Sequence, residues 1–296
     1  MRPMSLYESA DSTGQVSLKD LFDKPDSLEG ENNLNIDKLA FLICRGGWPH
    51  AVGMREKIAL AQAEDYYEAV IKSDINRADG VSKNPERVKR LLRSLARNQG
   101  AQIANTMLKN DIVSNDTESL NEDTIASYLN ALKKIFVIED MPAWNPNLRS
   151  KTSIRSSDTR YFVDPSIAVS ALGAGPQDLI NDLNTMGLLF ETLCVRDLRV
   201  YAEKIGGSVL HYRDKSGLEC DTVIHLKNGR YGLAEIKLGG QKLIEEGAAN
   251  LKALSNKIDT SKMLAPSFLM IIIGVGEFAY KREDGIFIVP IGCLKD

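Results

Sequence analysis

The spacing of apolar positions changes along the chain. From Glu64 the helical period dominates: "AEDYYEAVIKSDI", "PERVKRLLRSLARNQ", "AQIANTMLKND" and "LNEDTIASYLNALKKIF" each bring apolar residues back every three to four positions. This predicts four helices in series. Pro85 stands at a favoured first-turn position, and "SLNEDT" reads as an N-cap whose acids suit the helix dipole. The stretch "VIEDMPAWNPNLRSKTSIRSSDTRYFVD" then holds two short β-like runs around a basic loop. Helices followed by a β-ribbon are the order of a winged helix-turn-helix.

From about Pro176 the pattern becomes that of an α/β unit. A helix ending at Lys204 leads to the strand "SVLHYRD", the hairpin "GLECDTVIHLKNGRYGLAEIKLGG", the helix "IEEGAANLKALSNKI" and the strands "FLMIIIG" and "GIFIVPI". Upstream, "DKPDSLEGENNLN" is a polar connection rich in breakers, and "IDKLAFLICRGGWPHAV" carries a short apolar helix into a turn. These changes divide the chain at 1–30, 31–63, 64–175 and 176–296.

A chain of 296 residues is long enough for two or three compact units. No apolar run reaches the roughly 18 residues of a membrane span, and "FLMIIIGVG" reads as a buried strand. The start lacks the apolar core of a secretory signal, and Cys44, Cys194, Cys220 and Cys293 show no C-x-x-C spacing. A cytoplasmic location with structural thiols and no zinc is the reading.

With 37 basic and 40 acidic residues, the net charge of −3 gives no global field for nucleic acid, so any such partner must be held by local patches. Two are present: Arg149, Lys151, Arg155 and Arg160 in the expected wing, and Arg87, Lys89, Arg90, Arg93 and Arg97 on a helix. The helix in the recognition position begins with Glu122 and Asp123, which phosphates repel, so packing is its expected role. Trp144, between two prolines, reads as a core or turn anchor, and His211 as a structural histidine.

The hairpin poses a chemical question. A two-residue turn at Asn228-Gly229 mixes acids and aliphatics on both faces. A three-residue loop, Lys227 to Gly229 with Gly229 left-handed, pairs Leu226 with Arg230 and sorts them. One face then carries Cys220, Thr222, Ile224 and Leu226 beside Gly232, Ala234, Ile236 and Leu238, an interior surface. The other carries Glu219, Asp221, Val223, His225, Tyr231, Leu233, Glu235 and Lys237. Asp221 opposite Glu235 repels unless something positive sits between them, either a divalent cation or Lys237. The same register sets Glu219 opposite Lys237, as a competitor for it or a charge-balancing neighbour.

An aspartate followed about a dozen residues later by Glu-x-Lys on the next strand resembles the PD-(D/E)XK nuclease superfamily, and Glu191 in "GLLFETLCVRDL" matches that family's helix glutamate. The resemblance implies a restriction-endonuclease-like α/β domain in which Glu191, Asp221 and Glu235 bind Mg²⁺ or Mn²⁺. It gives Asp221, Glu235 and Lys237 the catalytic roles, with Lys237 orienting water or stabilising the transition state. The Ile236 carbonyl is a further candidate ligand, and Arg213 a candidate phosphate contact.

A wider resemblance runs from "RPMSLYES" through "CRGGWPHAV", "YLNALKKIFVIEDMPAWNPNLRS", "RYFVDPSIAVSAL" and "LFETL" to "HYRDKSGLECDTVI" and "AEIKLG". This looks like the tail of AAA-type ATPases that end in the domain of unknown function 4143. The family's G-x-x-x-x-G-K-[ST] loop is missing from this sequence, so ATP is not expected to bind it. Residues 1–30 correspond to the end of that ATPase module and a linker; "MRPMSLYES" resembles its final strand region, an exposed edge expected to be disordered or to pair with an ATPase module or another protein through residues 1–22. The implied activity is nuclease-like, with DNA favoured over RNA and no membrane partner. The alternative is an inactive regulatory or docking region.

Overall fold

The computed structural model describes residues 2–25, 28–113, 121–146 and 157–296. They form two compact units that do not follow the chain linearly. The first comprises Ala40–Asp140 and Thr159–Leu193, and the second Arg2–Leu39, Met141–Asp158 and Cys194–Asp296.

In chain order the helices begin with α1 (Leu18–Asp23), α2 (Ile36–Arg45) and α3 (Glu56–Ala69). A π-helical stretch (Val70–Asp74) carries α3 into α4 (Ile75–Arg77). Then come α5 (Pro85–Arg97), α6 (Asn105–Val113) and α7 (Glu122–Lys134). Pro85 opens α5 as the sequence suggests, behind Asn84, which accepts from Glu86 and Arg87, and within the expected "SLNEDT" cap Asn121 accepts from Thr124. Apolar spacing gives α5 a buried stripe of Val88, Leu91, Leu92 and Leu95, and α7 one of Ile125, Leu129 and Leu132.

Past α7, two strands pair as a small sheet, preceded in order along the chain by β1 (Val16–Ser17) and β2 (Gly30–Glu31). They are β3 (Ile138–Met141) and β4 (Thr159–Phe162). Next comes α8 (Pro165–Leu172), which packs against α5, followed by α9 (Pro176–Asn181). The "CRGGWP" turn is locked onto the start of α8: Gly47 N–H donates to Asp164, and the Trp48 indole to Ser166. Gly46, at φ +72°, leaves no room for a side chain, because a Cβ would lie 2.4 Å from Asp164 Oδ1.

Asp140 joins the two strands of the small sheet electrostatically, accepting from Lys133 and, at 2.9 Å, from Arg160 Nε. Burial opposes its ionisation, but the hydrogen bonds from Lys133 and Arg160 outweigh it and hold the carboxyl below its ordinary range. Such a depressed group stabilises the fold above its unfolded value, near pH 4, and loses that contribution as pH falls through the folded value. Asp140→Asn is expected to cost about 1–3 kcal/mol at pH 7 and less at pH 3, below the unfolded value. Urea unfolding at both pH values checks this, and an equal loss at both would contradict it.

The second unit is built on a mixed seven-stranded sheet in the order β2-β9-β10-β8-β7-β6-β5. The remaining elements are α10 (Leu183–Lys204), β5 (Gly207–Arg213), β6 (Glu219–Leu226), β7 (Tyr231–Lys237), α11 (Gln241–Lys257), β8 (Leu269–Ile273), β9 (Phe278–Lys281), β10 (Phe287–Pro290) and β11 (Leu294–Lys295). β8 lies parallel to both β7 and β10, with α11 as the crossover from β7. Its unbroken apolar run is that of a strand buried on both faces. Pro142–Trp144 extends the sheet beyond β5, through Trp144 N–H to the His211 carbonyl and His211 N–H to the Pro142 carbonyl. Trp144 is buried against Tyr212 and Tyr231, a core anchor as expected, and His211 is buried beside it.

The N-terminal segment departs from expectation. No strand forms over residues 2–10; instead β1 pairs in parallel with β11, and β2 joins β9 as the outermost strand of the sheet. Leu6 is fully buried, and its N–H donates to Asp197, itself paired with Arg196. Ser12 and Ser17 donate to the carbonyls of Leu294 and Asp296. Several polar groups of this segment are thus met within the unit by residues far along the chain.

Candidate functional site: an acid–lysine cluster on the central hairpin

The hairpin takes the three-residue loop. Leu226 N–H donates to the Arg230 carbonyl, Gly229 lies at φ +85°, and the ladder pairs Thr222 with Ala234 and His225 with Tyr231. One step further along this register, Asp221 faces Glu235. The face they share is interior as well: Val223, Leu233, Ile271 and Ile273 pack there with Ile244, Ala248 and Leu251 of α11. The opposite face, with Thr222, Ile224, Ala234 and Ile236, is also buried.

Glu235 is only 2% exposed, and the Lys237 ammonium lies 2.7 Å from its Oε2. The same ammonium is 3.3 Å from Asp221 Oδ2, which also accepts the Ile236 N–H at 2.7 Å. Asp221 thus closes the end of the β6–β7 ladder with its side chain. Burial opposes the lysine's charge, but attraction to Asp221 and Glu235 and their hydrogen bonds outweigh it, raising its pKa above the ordinary lysine value. Asp221 and Lys237 each keep about a fifth of their side chain exposed, so the cluster opens to solvent on their side and is sealed at Glu235.

Glu219 does not compete for the lysine. From β6 it pairs with Arg213 of β5 at 3.1 Å, both about half exposed. Glu191 is placed in the first unit, where its carboxylate accepts the Tyr161 hydroxyl at 2.6 Å. Tyr161 gave no sequence signal beyond its place in "RYFVD". Arg160 is bound to Asp140, while Arg149, Lys151 and Arg155 lie outside the described residues.

Among the described residues no group of three or more His, Cys, Asp or Glu is gathered as metal ligands. The pair Asp221 and Glu235 nevertheless has the hard oxygen donors that suit Mg²⁺ or Mn²⁺. All four cysteines are free and buried, and burial pushes the Cys220 thiol well up, as do the charges of Glu235 and Asp221. That leaves it a neutral packing group.

Two family models match the chain. One, described as a domain of unknown function (DUF8612), covers residues 36–178, and the other, also a domain of unknown function (DUF4143), covers residues 186–294. The hairpin therefore belongs to a DUF4143 domain, the kind read from "HYRDKSGLECDTVI" and commonly found alongside ATPase modules. The DUF8612 match had no counterpart in the sequence reading. No curated protein and no solved structure matches the chain. Among the described residues no helix is long and apolar enough to cross a membrane.

Proposed function

We propose that this chain is a metal-dependent phosphodiesterase of the nuclease type. In this reading a PD-(D/E)XK-like α/β domain follows a winged-helix-like module, and the substrate is nucleic acid, DNA before RNA. The observation that carries the proposal is the pair of carboxylates, Asp221 and Glu235, on facing positions of neighbouring strands with Lys237 between them.

Asp221 and Glu235 would hold Mg²⁺ or Mn²⁺, with the Ile236 carbonyl as a further donor. When bound, such an ion lowers the pKa of water and offsets charge on the phosphate. Lys237 keeps a positive charge at the open side of the cluster, where it can orient water or neutralise a phosphate oxygen. Glu191 keeps the support of the family pattern, and in the first unit Tyr161 holds its carboxylate.

Arg213 is the phosphate contact on this face, and Glu219 tempers it. Glu219→Gln removes that counter-charge and is expected to tighten metal-free oligonucleotide binding about two- to fivefold at low salt, the scale of an exposed ion pair, and less as salt rises. Fluorescence anisotropy measures this, and unchanged affinity at low salt would take Arg213 out of the substrate's path.

A second reading has its own observation. Lys237 already contacts both carboxylates and offsets one of their two charges without a metal, as a docking or regulatory domain of an ATPase system could use it. Mn²⁺ calorimetry separates the two. The nuclease reading expects a binding site in the wild type that Asp221→Asn and Glu235→Gln each remove. No binding in the wild type would favour the docking reading.

A further inference from the structure

A glycine inside a helix costs about 1 kcal/mol relative to alanine, and α11 carries one on its sheet-facing side. Gly247 is buried beside Ala248, in the stripe that includes Ile244, Leu251 and Leu254. Its backbone does not require glycine, because it lies inside the helix and has no positive φ. A Cβ at this position would meet Ile271 Cδ1 at 3.4 Å, Glu235 Cβ at 3.5 Å and Lys237 Cε at 3.5 Å. These are ordinary contact distances, so alanine fits the structure as it stands. What a methyl group would remove is the clearance beside the ε-carbon of Lys237.

That clearance bears on how the lysine could act. Its ammonium is held by Asp221 and Glu235, and to reach a substrate phosphate or water it must leave at least one of them. Its last carbons must then move. On the sheet side Ile271 and Ile273 are packed and buried, while on the helix side Gly247 presents only backbone.

We infer that Gly247 is a positioning residue: by omitting a side chain it leaves the space through which Lys237 swings from the two carboxylates toward the substrate. The inference rests on the hydrolytic reading of this site. Gly247 contacts neither metal nor substrate and acts only through the lysine.

The test is Gly247→Ala in the full chain, with two readouts. In Mn²⁺-dependent cleavage, kcat is expected to fall about tenfold or more while KM stays within about twofold, a loss confined to the transition state. The thermal midpoint should be unchanged or higher, because alanine favours the helix. Without metal or substrate, labelling of Lys237 by an amine-reactive ester, followed by peptide mass spectrometry, is expected to slow severalfold. If the wild type does not cleave, slowed labelling still upholds the clearance role while the hydrolytic reading fails. Labelling at the wild-type rate, or a wild-type kcat in the variant, overturns the inference.

Discussion

Asp221→Asn is expected to reduce Mn²⁺-dependent phosphodiester cleavage at least about a thousandfold, equivalent to about 4 kcal/mol of transition-state stabilisation. The substitution is chosen for what it keeps. An asparagine oxygen can still accept the Ile236 N–H that Asp221 Oδ2 takes at 2.7 Å, so the end of the β6–β7 ladder stays closed. What it removes is the charge needed both to hold a divalent cation and to balance Lys237 from the solvent side. Cleavage of a labelled oligonucleotide, followed beside the thermal midpoint, checks this. Activity within tenfold of wild type at an unchanged midpoint would exclude Asp221 from the chemistry.

The largest expected effect on stability comes from Lys237→Ala, at about 3–5 kcal/mol, the usual cost of breaking a buried ion pair from one side. Glu235 is almost fully buried and would lose the cation 2.7 Å from its carboxylate. Adding Glu235→Gln should recover much of the loss, because the charge left behind then disappears. Chemical unfolding of the two single variants and the double variant forms the cycle. Losses that simply add would show that the lysine and the glutamate do not depend on each other.

The hairpin was legible in the sequence because its signals are local. Gly229 in the left-handed region fixes a three-residue loop, and the alternation of aliphatics and acids allows one register. The helices from α3 to α7 were legible for the same reason, with Pro85 and the "SLNEDT" cap marking two of their starts. The strands β1, β2 and β11 were not, since each is two residues long and made by pairing across most of the chain. Sequence spacing likewise carries no sign that the chain turns out of β3 at Pro142–Trp144 to join the edge beyond β5.

Within the site, the sequence pointed to Asp221, Glu235 and Lys237 through their spacing on two strands. It could not say that Glu219 is occupied by Arg213, that Arg160 is held by Asp140, or that Tyr161 holds Glu191. Those pairings depend on three-dimensional packing that residue spacing does not encode. Gly247 did leave a trace, as a glycine inside the apolar period of "IEEGAANLKALSNKI", whose meaning emerges only from the residues beneath it.

The most direct test of the central claim is cleavage of labelled single- and double-stranded DNA and RNA by the purified chain in Mn²⁺ or Mg²⁺, with Asp221→Asn purified in parallel. The expected result is metal-dependent phosphodiester cleavage by the wild type that the folded variant lacks. Cleavage that persists in the variant, or a folded wild type that cuts none of these substrates with either metal, would contradict it.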